Sequence, residues 1–116
     1  MIPFFLTLLI LLLLVFLTML PGMGRREEMQ VLRTDYAHRG LHDESKAENS
    51  MSAFRAAKEN GYGIELDIRL SKDGELVVFH DDSLKRMTGI DGDVKDSTAD
   101  ELAAMRLGDT ADGIPT

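Results

Sequence analysis

Ile64, Leu66, Ile68 and Leu70 alternate with Glu65, Asp67 and Arg69. A period of two is the repeat of a β-strand, whose successive side chains point to opposite faces. Glu65 and Asp67 therefore share one face, opposite the apolar one. Lys72-Asp73-Gly74-Glu75 follows. Asp-Gly between two alternating runs is a strong signal for a two-residue hairpin. Centring the turn on Asp73-Gly74 pairs Leu70 with Val77 and Ile68 with Phe79, two apolar cross-strand pairs. The same register sets Asp67 opposite His80, with Cα atoms about 5 Å apart.

Upstream, Asp35-Tyr36-Ala37-His38 reads as the end of a short strand running into Arg39-Gly40. Residues 41–47 form a polar loop. Asn49 or Ser50 can N-cap a helix over residues 50–59, with Met51 and Phe54 as its buried face. Asn60-Gly61 closes that helix. Strand, helix and strand in this order predict a βαβ unit, and so an α/β fold. Downstream the chain is turn-rich at Thr88-Gly89 and Asp91-Gly92-Asp93. Thr98-x-x-Glu101 is a capping box that opens a helix over residues 99–106, ended by Gly108. Pro115-Thr116 looks like the approach to a further helix.

The charge is unevenly spread. The chain has 116 residues and net charge −7, yet all 13 basic and 20 acidic residues lie from Arg25 onward. From Ile2 to Leu20 the run is apolar except for Pro3, Thr7 and Thr18. As a helix it spans about 28 Å, close to a bilayer's hydrocarbon thickness. Pro21-Gly22 would end it. A cleaved signal peptide would need a basic start, a shorter apolar run and a small-x-small cleavage site. No Lys or Arg precedes this run, and Pro21-Gly22-Met23-Gly24 is a poor cleavage site, so a retained anchor is expected. The expected organisation is a transmembrane helix over 1–22, a juxtamembrane linker over 23–34 and a soluble part over 35–116. Arg25 and Arg26 flank the run on its C-terminal side, which the positive-inside rule reads as a cytoplasmic soluble part.

The acidic soluble part offers no basic stripe, which argues against nucleic-acid binding. Without cysteine there is no disulfide and no thiolate metal site. Acidic balance suits a domain that collects a cation and uses it to meet an anionic substrate.

Three groups carry chemistry: His38-Arg39, Glu65-x-Asp67 and His80-Asp81. Histidines move protons near neutral pH. Paired carboxylates hold a hard divalent cation, Mg²⁺ or Ca²⁺. An arginine neutralises phosphate oxygens. Each group alone has an ordinary explanation: a solvated strand face, a hydrogen-bonded structural histidine, a turn. Yet two like charges on one strand face repel unless something positive lies between them. Arg69 is one candidate partner and a metal ion a better one. His42 reads as a loop histidine. An EF-hand at Asp91 fails, because Asp96 takes the glycine position and Leu102 the bidentate glutamate position. Walker-type loops and Gly-x-Ser-x-Gly elbows are absent.

Ala37-His38-Arg39-Gly40, Glu48-Asn49-Ser50, Gly63-Ile64-Glu65-Leu66-Asp67, Lys72-Asp73-Gly74 and Val77-Val78-Phe79-His80-Asp81, in this order and spacing, resemble the glycerophosphodiester phosphodiesterase family. The resemblance runs from about Ala37 to Thr116. It implies a (β/α)₈ barrel, with the active site at the C-terminal ends of its strands. It implies Glu65 and Asp67 as ligands of Mg²⁺ or Ca²⁺, His38 and His80 as the acid/base pair, and Arg39 on the phosphate. Glu48 and Asp81 would support them. Ala47 stands where the family usually has proline. The substrate would be a small glycerophosphodiester or a lysolipid, cleaved to an alcohol and glycerol phosphate. A whole barrel needs about 250 residues, so residues 35–116 would be its N-terminal part. The family's third ligand, a later glutamate, has no counterpart here, and the stretch alone is expected to be inactive. Two alternatives stay open: an enzyme resembling phosphatidylinositol-specific phospholipase C, and a non-catalytic membrane-anchored interaction protein.

Overall fold

The computed structural model describes residues 2–20 and 32–116. Helix α1 (Ile2–Met19) lies in one unit, and residues Thr34–Thr116 form a second, mixed α/β unit. From Phe4 to Leu20, every large apolar side chain of the first unit is exposed. Thr7 and Thr18 return their hydroxyls to the carbonyls of Pro3 and Val15, at 2.8 and 2.7 Å, so neither hydroxyl proton is left over. The 18 residues of α1 rise about 27 Å, under the roughly 30 Å of a hydrocarbon core. Among the described residues no helix is long and apolar enough to cross a membrane. The transmembrane span expected over residues 2–20 is therefore not shown. The stop at Pro21-Gly22, the flank Arg25-Arg26 and most of the expected linker lie outside the described residues.

In the second unit, β1 (Tyr36–His38) and β2 (Gly63–Glu65) pair in parallel, with α2 (Met51–Glu59) as the connection between them. This is the expected βαβ unit. Tyr36 stands opposite Gly63, Ala37 opposite Ile64 and His38 opposite Glu65. Ser50 caps α2, its hydroxyl accepting from the Ala53 N–H at 3.2 Å and donating to the Ala47 carbonyl at 2.6 Å. The buried stripe of α2 is Ala53, Phe54 and Ala57, at helical spacing. Met51, expected on that face, is instead exposed at the first turn.

The alternating run is not one strand. β2 ends at Glu65, and β3 (Ile68–Leu70) pairs antiparallel with β4 (Leu76–Val78) in a separate two-stranded sheet. The hairpin exists, but its register is one residue from the expected one. Leu70 faces Leu76, Arg69 faces Val77 and Ile68 faces Val78. The Asp67 carbonyl accepts from the Phe79 N–H at 3.0 Å, so Asp67 lies opposite Phe79 rather than His80. The cause is the loop, which holds three residues, Lys72-Asp73-Gly74, with Gly74 left-handed at φ 83°. Ser71 closes it by donating to Asp73 Oδ1 and accepting from the Glu75 N–H. Asp73 Oδ1 also accepts from the Ala99 N–H at 3.0 Å, which ties the hairpin tip to the next helix. These bonds, the Ser71 hydroxyl foremost, hold the Asp73 carboxyl below its usual range.

The register decides which face is buried. Val77 and Phe79 enter the core, while Ile68, Leu70 and Leu76 stay exposed. Leu84, Val94, Leu102, Leu107 and Ile114 complete the core. A one-turn helix α3 (Lys85–Thr88), a 3-10 turn at Val94–Asp96 and helix α4 (Ala99–Ala103) carry most of these residues or flank them. The capping box forms in both directions between Thr98 and Glu101. Helix α4 stops short of the expected residue 106 because Arg106 leaves to bridge with Gly113.

Candidate active site

The site begins where β1 ends. Arg39 and Gly40 are both left-handed, at φ 58° and 82°. That double turn folds the chain back onto α2, where the Leu41 N–H donates to the Ala53 carbonyl at 3.0 Å. A left-handed arginine costs about 1–2 kcal/mol of steric strain. The turn is held by the Gly40 N–H on the Ala37 carbonyl at 3.1 Å and the Asn49 N–H on the Arg39 carbonyl at 2.9 Å.

This turn makes Arg39 a hub for carboxylates. Its backbone N–H donates to Glu65 Oε2 at 3.1 Å. Its guanidinium donates to Glu48 Oε1 at 3.0 Å and approaches Asp67 Oδ2 at 3.3 Å through Nε. Glu65 and Asp67 thus converge on one residue although the strand breaks between them. Asn49, left-handed at φ 55° and 2% exposed, holds Asp67 from the other side. Its Nδ2 donates to Asp67 Oδ2 at 3.0 Å, and its Oδ1 accepts from the Asp67 N–H at 3.3 Å.

Arg69 does not separate the two carboxylates. It donates through Nε to the His80 carbonyl at 3.0 Å and pairs with Asp82 at 2.7 Å. His38 is exposed at the end of β1, directly across from Glu65. His80 follows β4 with its side chain 43% exposed, and its Nδ1 lies 2.6 Å from Asp81 Oδ1. No hydrogen bond joins His38 to His80 among the described residues. His42 sits in the exposed loop expected for it.

Glu48 and Asp81, the expected supporting residues, meet a common partner, Arg86. Its Nε and NH2 donate to Asp81 Oδ2 and Oδ1 at 2.7 and 2.9 Å. The same NH2 donates to Glu48 Oε1 at 2.7 Å. Arg86 was not singled out by the sequence. It lies in the turn-rich stretch, and its partners are 5 and 38 residues away, a separation no periodicity exposes. Arg86, then His80, holds the Asp81 carboxyl well below its usual range. Arg86, against the opposing effect of burial, likewise lowers Glu48.

Both carboxyls titrate lower in the folded chain than in the unfolded one. Their contribution is therefore complete above the unfolded range, about pH 4, and is lost as pH falls through the depressed values. Arg86→Gln is expected to lower the melting temperature near about pH 6, with the difference from wild type shrinking in strong acid. Melting followed by circular dichroism across that range checks this. A gap that widens on acidification would contradict it.

Three carboxylates (Glu48, Asp67, Asp81) share two guanidiniums and Glu65 accepts only a backbone N–H, so the four carboxylates outnumber the two guanidiniums by two negative charges. Glu65 and Asp67 are hard oxygen donors suited to a divalent cation. Among the described residues no group of three or more Asp, Glu or His could hold a metal ion, so these two fit as part of a ligand set. Arg39 Nε is buried without an aligned hydrogen-bond acceptor, an unmet donor facing the same carboxylates. Such a donor fits an anionic oxygen.

A helix-connected pair of parallel strands, with an arginine, two carboxylates and a histidine at or just beyond their ends, places the chain among α/β proteins with a charged site at the strand ends. The match to known proteins is specific: residues 38–115 fit the glycerophosphoryl diester phosphodiesterase family, and the chain belongs to it. A glycerophosphodiester phosphodiesterase of Caldanaerobacter subterraneus subsp. tengcongensis is 47% identical over 73 residues, 62% of this chain and 30% of that protein. Human lysophospholipase D is 38% identical over 79 residues, 67% of this chain and 25% of that protein. The structure of an Oleispira antarctica phosphodiesterase, solved with the product sn-glycerol-3-phosphate, superposes with a TM-score of 0.64 at 32% identity. It covers 72% of this chain and 36% of that one. The chain spans well under half the length of these relatives, and its α/β unit resembles part of their barrel structures.

Proposed function

We propose that residues 35–116 supply the N-terminal part of a (β/α)₈ barrel that hydrolyses glycerophosphodiesters to an alcohol and glycerol phosphate. The observation that carries this reading is the convergence of Glu65 and Asp67 on Arg39, beside His38, at the ends of paired parallel strands. A divalent cation, Mg²⁺ or Ca²⁺, would polarise the phosphodiester and offset charge on its oxygens. Glu65 and Asp67 are the residues to hold it. Arg39, beside the two carboxylates, is the residue to meet a phosphate oxygen. His38 acts as base toward the attacking hydroxyl, of water or of the substrate itself. His80 acts as acid toward the leaving alkoxide. Asp81 is an acceptor-only carboxylate, so His80 keeps a proton on Nδ1 and exchanges protons through Nε2. Small glycerophosphodiesters and lysolipids are the substrate class, in line with the glycerol phosphate held by the Oleispira relative and the name of the human one.

The test is a chimera in which this chain's 73 matched residues replace the equivalent stretch of the Caldanaerobacter enzyme. Hydrolysis of glycerophosphocholine, abolished by EDTA and by Glu65→Ala, is the expected result. A folded chimera with no turnover, beside an active parent, would sink the reading and favour a non-catalytic interaction role.

We also infer a single-pass anchor over residues 2–20, within a span of 1–22 and followed by a linker over 23–34, with the soluble part cytoplasmic. The exposed apolar side chains of α1 from Phe4 onward and its satisfied threonine hydroxyls support this. Leu11→Lys places a charge at the helix centre, at a cost of about 2.5–3.5 kcal/mol of insertion free energy. It should release the chain from membranes under alkaline extraction. Equal retention of both forms would count against the anchor.

A further inference from the structure

We propose that Arg86 is a positioning residue that locks the two halves of this site into one arrangement, an inference that rests on the phosphodiesterase reading for its purpose but not for its test. On one side its guanidinium grips both oxygens of Asp81, which in turn holds His80 Nδ1. On the other its NH2 reaches Glu48, whose Oε1 also accepts from Arg39, which approaches Asp67. The result is an unbroken chain of contacts: His80, Asp81, Arg86, Glu48, Arg39, Asp67. From Asp81 to Asp67 its charges alternate in sign.

The base of Arg86 is fixed. Helix α3 follows Leu84, which is 1% exposed in the core, and ends at left-handed Gly89. Next to Arg86, the Met87 carbonyl accepts from the Gly108 N–H at 2.6 Å. Arg86 is itself half exposed, but Glu48, Arg39 and Asp81 are only 15%, 17% and 23% exposed. Isolated surface ion pairs contribute little to stability, whereas a two-pronged arginine–carboxylate grip within a network is the exception. Here its consequence is orientation. A lysine ammonium lacks the planar fork that grips Asp81 while reaching Glu48. With Asp81 held as an acceptor, the His80 ring is fixed by Nδ1 and Nε2 is left to exchange protons. With Glu48 held, Arg39 is aimed from a fixed neighbour.

Nitrogen-15 NMR of the 116-residue chain in detergent micelles tests this without metal, substrate or turnover. In its neutral form the wild-type His80 ring is expected to carry its proton on Nδ1. Arg86→Gln should shift His80 toward the Nε2–H form and move the Arg39 Nε resonance. His42 and the amides of Leu102 and Leu107 should stay in place. Arg86→Lys should restore part of the His80 preference. An unchanged His80 tautomer in a folded Arg86→Gln chain overturns the proposal. A change at His80 with Arg39 unmoved overturns the coupling of the two halves. Failure of both variants to fold also overturns it, since Arg86 would then be a staple of the fold rather than of the site. An inactive chimera would remove the hydrolase reading and leave this result standing.

Discussion

Gly40→Ala is expected to destabilise the α/β unit by about 2–5 kcal/mol, from left-handed strain of about 1–2 and overpacking of about 1–3. Both causes are local. Gly40 sits at φ 82°, and a Cβ there would lie 2.8 Å from Ala53 Cβ and 2.9 Å from the Ala53 carbonyl carbon. The second clash is with helix backbone, which cannot rotate away. Gly61 is the control: its φ is 76°, but nothing lies within 4 Å of the added carbon. Gly61→Ala should therefore cost only the strain, about 1–2 kcal/mol. Urea unfolding of the two variants and wild type measures the difference. Equal losses would mean that α2 yields and that the close approach of β1's turn is dispensable. If the approach does matter, the damage reaches the chemistry, because the same turn aims Arg39 at Glu65 and Asp67.

His80→Ala, placed in the Caldanaerobacter chimera, is expected to lower kcat by about 10²–10⁴-fold, the usual contribution of a positioned acid or base. Metal affinity should be unchanged, since His80 touches neither Glu65 nor Asp67 through any hydrogen bond. Glu65→Ala should act on the metal instead, weakening its binding and abolishing turnover with it. His42→Ala, in the exposed loop, should change neither. Titrating the metal while following turnover separates the three. Turnover retained in the His80 variant would remove it from the mechanism.

The parts of the fold legible in the sequence are those governed by near neighbours. The caps at Ser50 and Thr98, the left-handed turn at Gly61 and the βαβ order all depend on residues a few positions apart. The hairpin was legible as a hairpin but not in its register. The Asp-Gly signal admits two-residue and three-residue loops alike, and the Ser71 hydroxyl decides between them by closing the loop on Asp73 and Glu75. The break of the alternating run was hidden for a different reason. Periodicity reports which face a residue occupies, not which strand it pairs with, so the passage from β1's neighbour to β4's leaves no mark. In the site, Glu65 and Asp67 meet at Arg39, although the strand expected to align the two carboxylates breaks between them. Asp67 and His80 do not face each other, because the register that would have paired them is off by one residue. Arg86 escaped notice because its two carboxylate partners come from separate loops.

The gap between the two small sheets is bridged at Asp67, whose carbonyl already accepts from the Phe79 N–H while its own N–H has no strand partner. There the Asn49 side chain meets Asp67 twice, its Oδ1 accepting from the main-chain N–H and its Nδ2 donating to the carboxylate. An amide is the side-chain group that offers a donor and an acceptor side by side. Aspartate at position 49 would present two acceptors to a carboxylate and push it away. Alanine would leave a main-chain N–H without its acceptor. Glutamine would carry the right group one methylene too far. Residue 49 therefore joins the main chain and the side chain of Asp67 at once, and its identity is set by hydrogen-bond polarity and reach together.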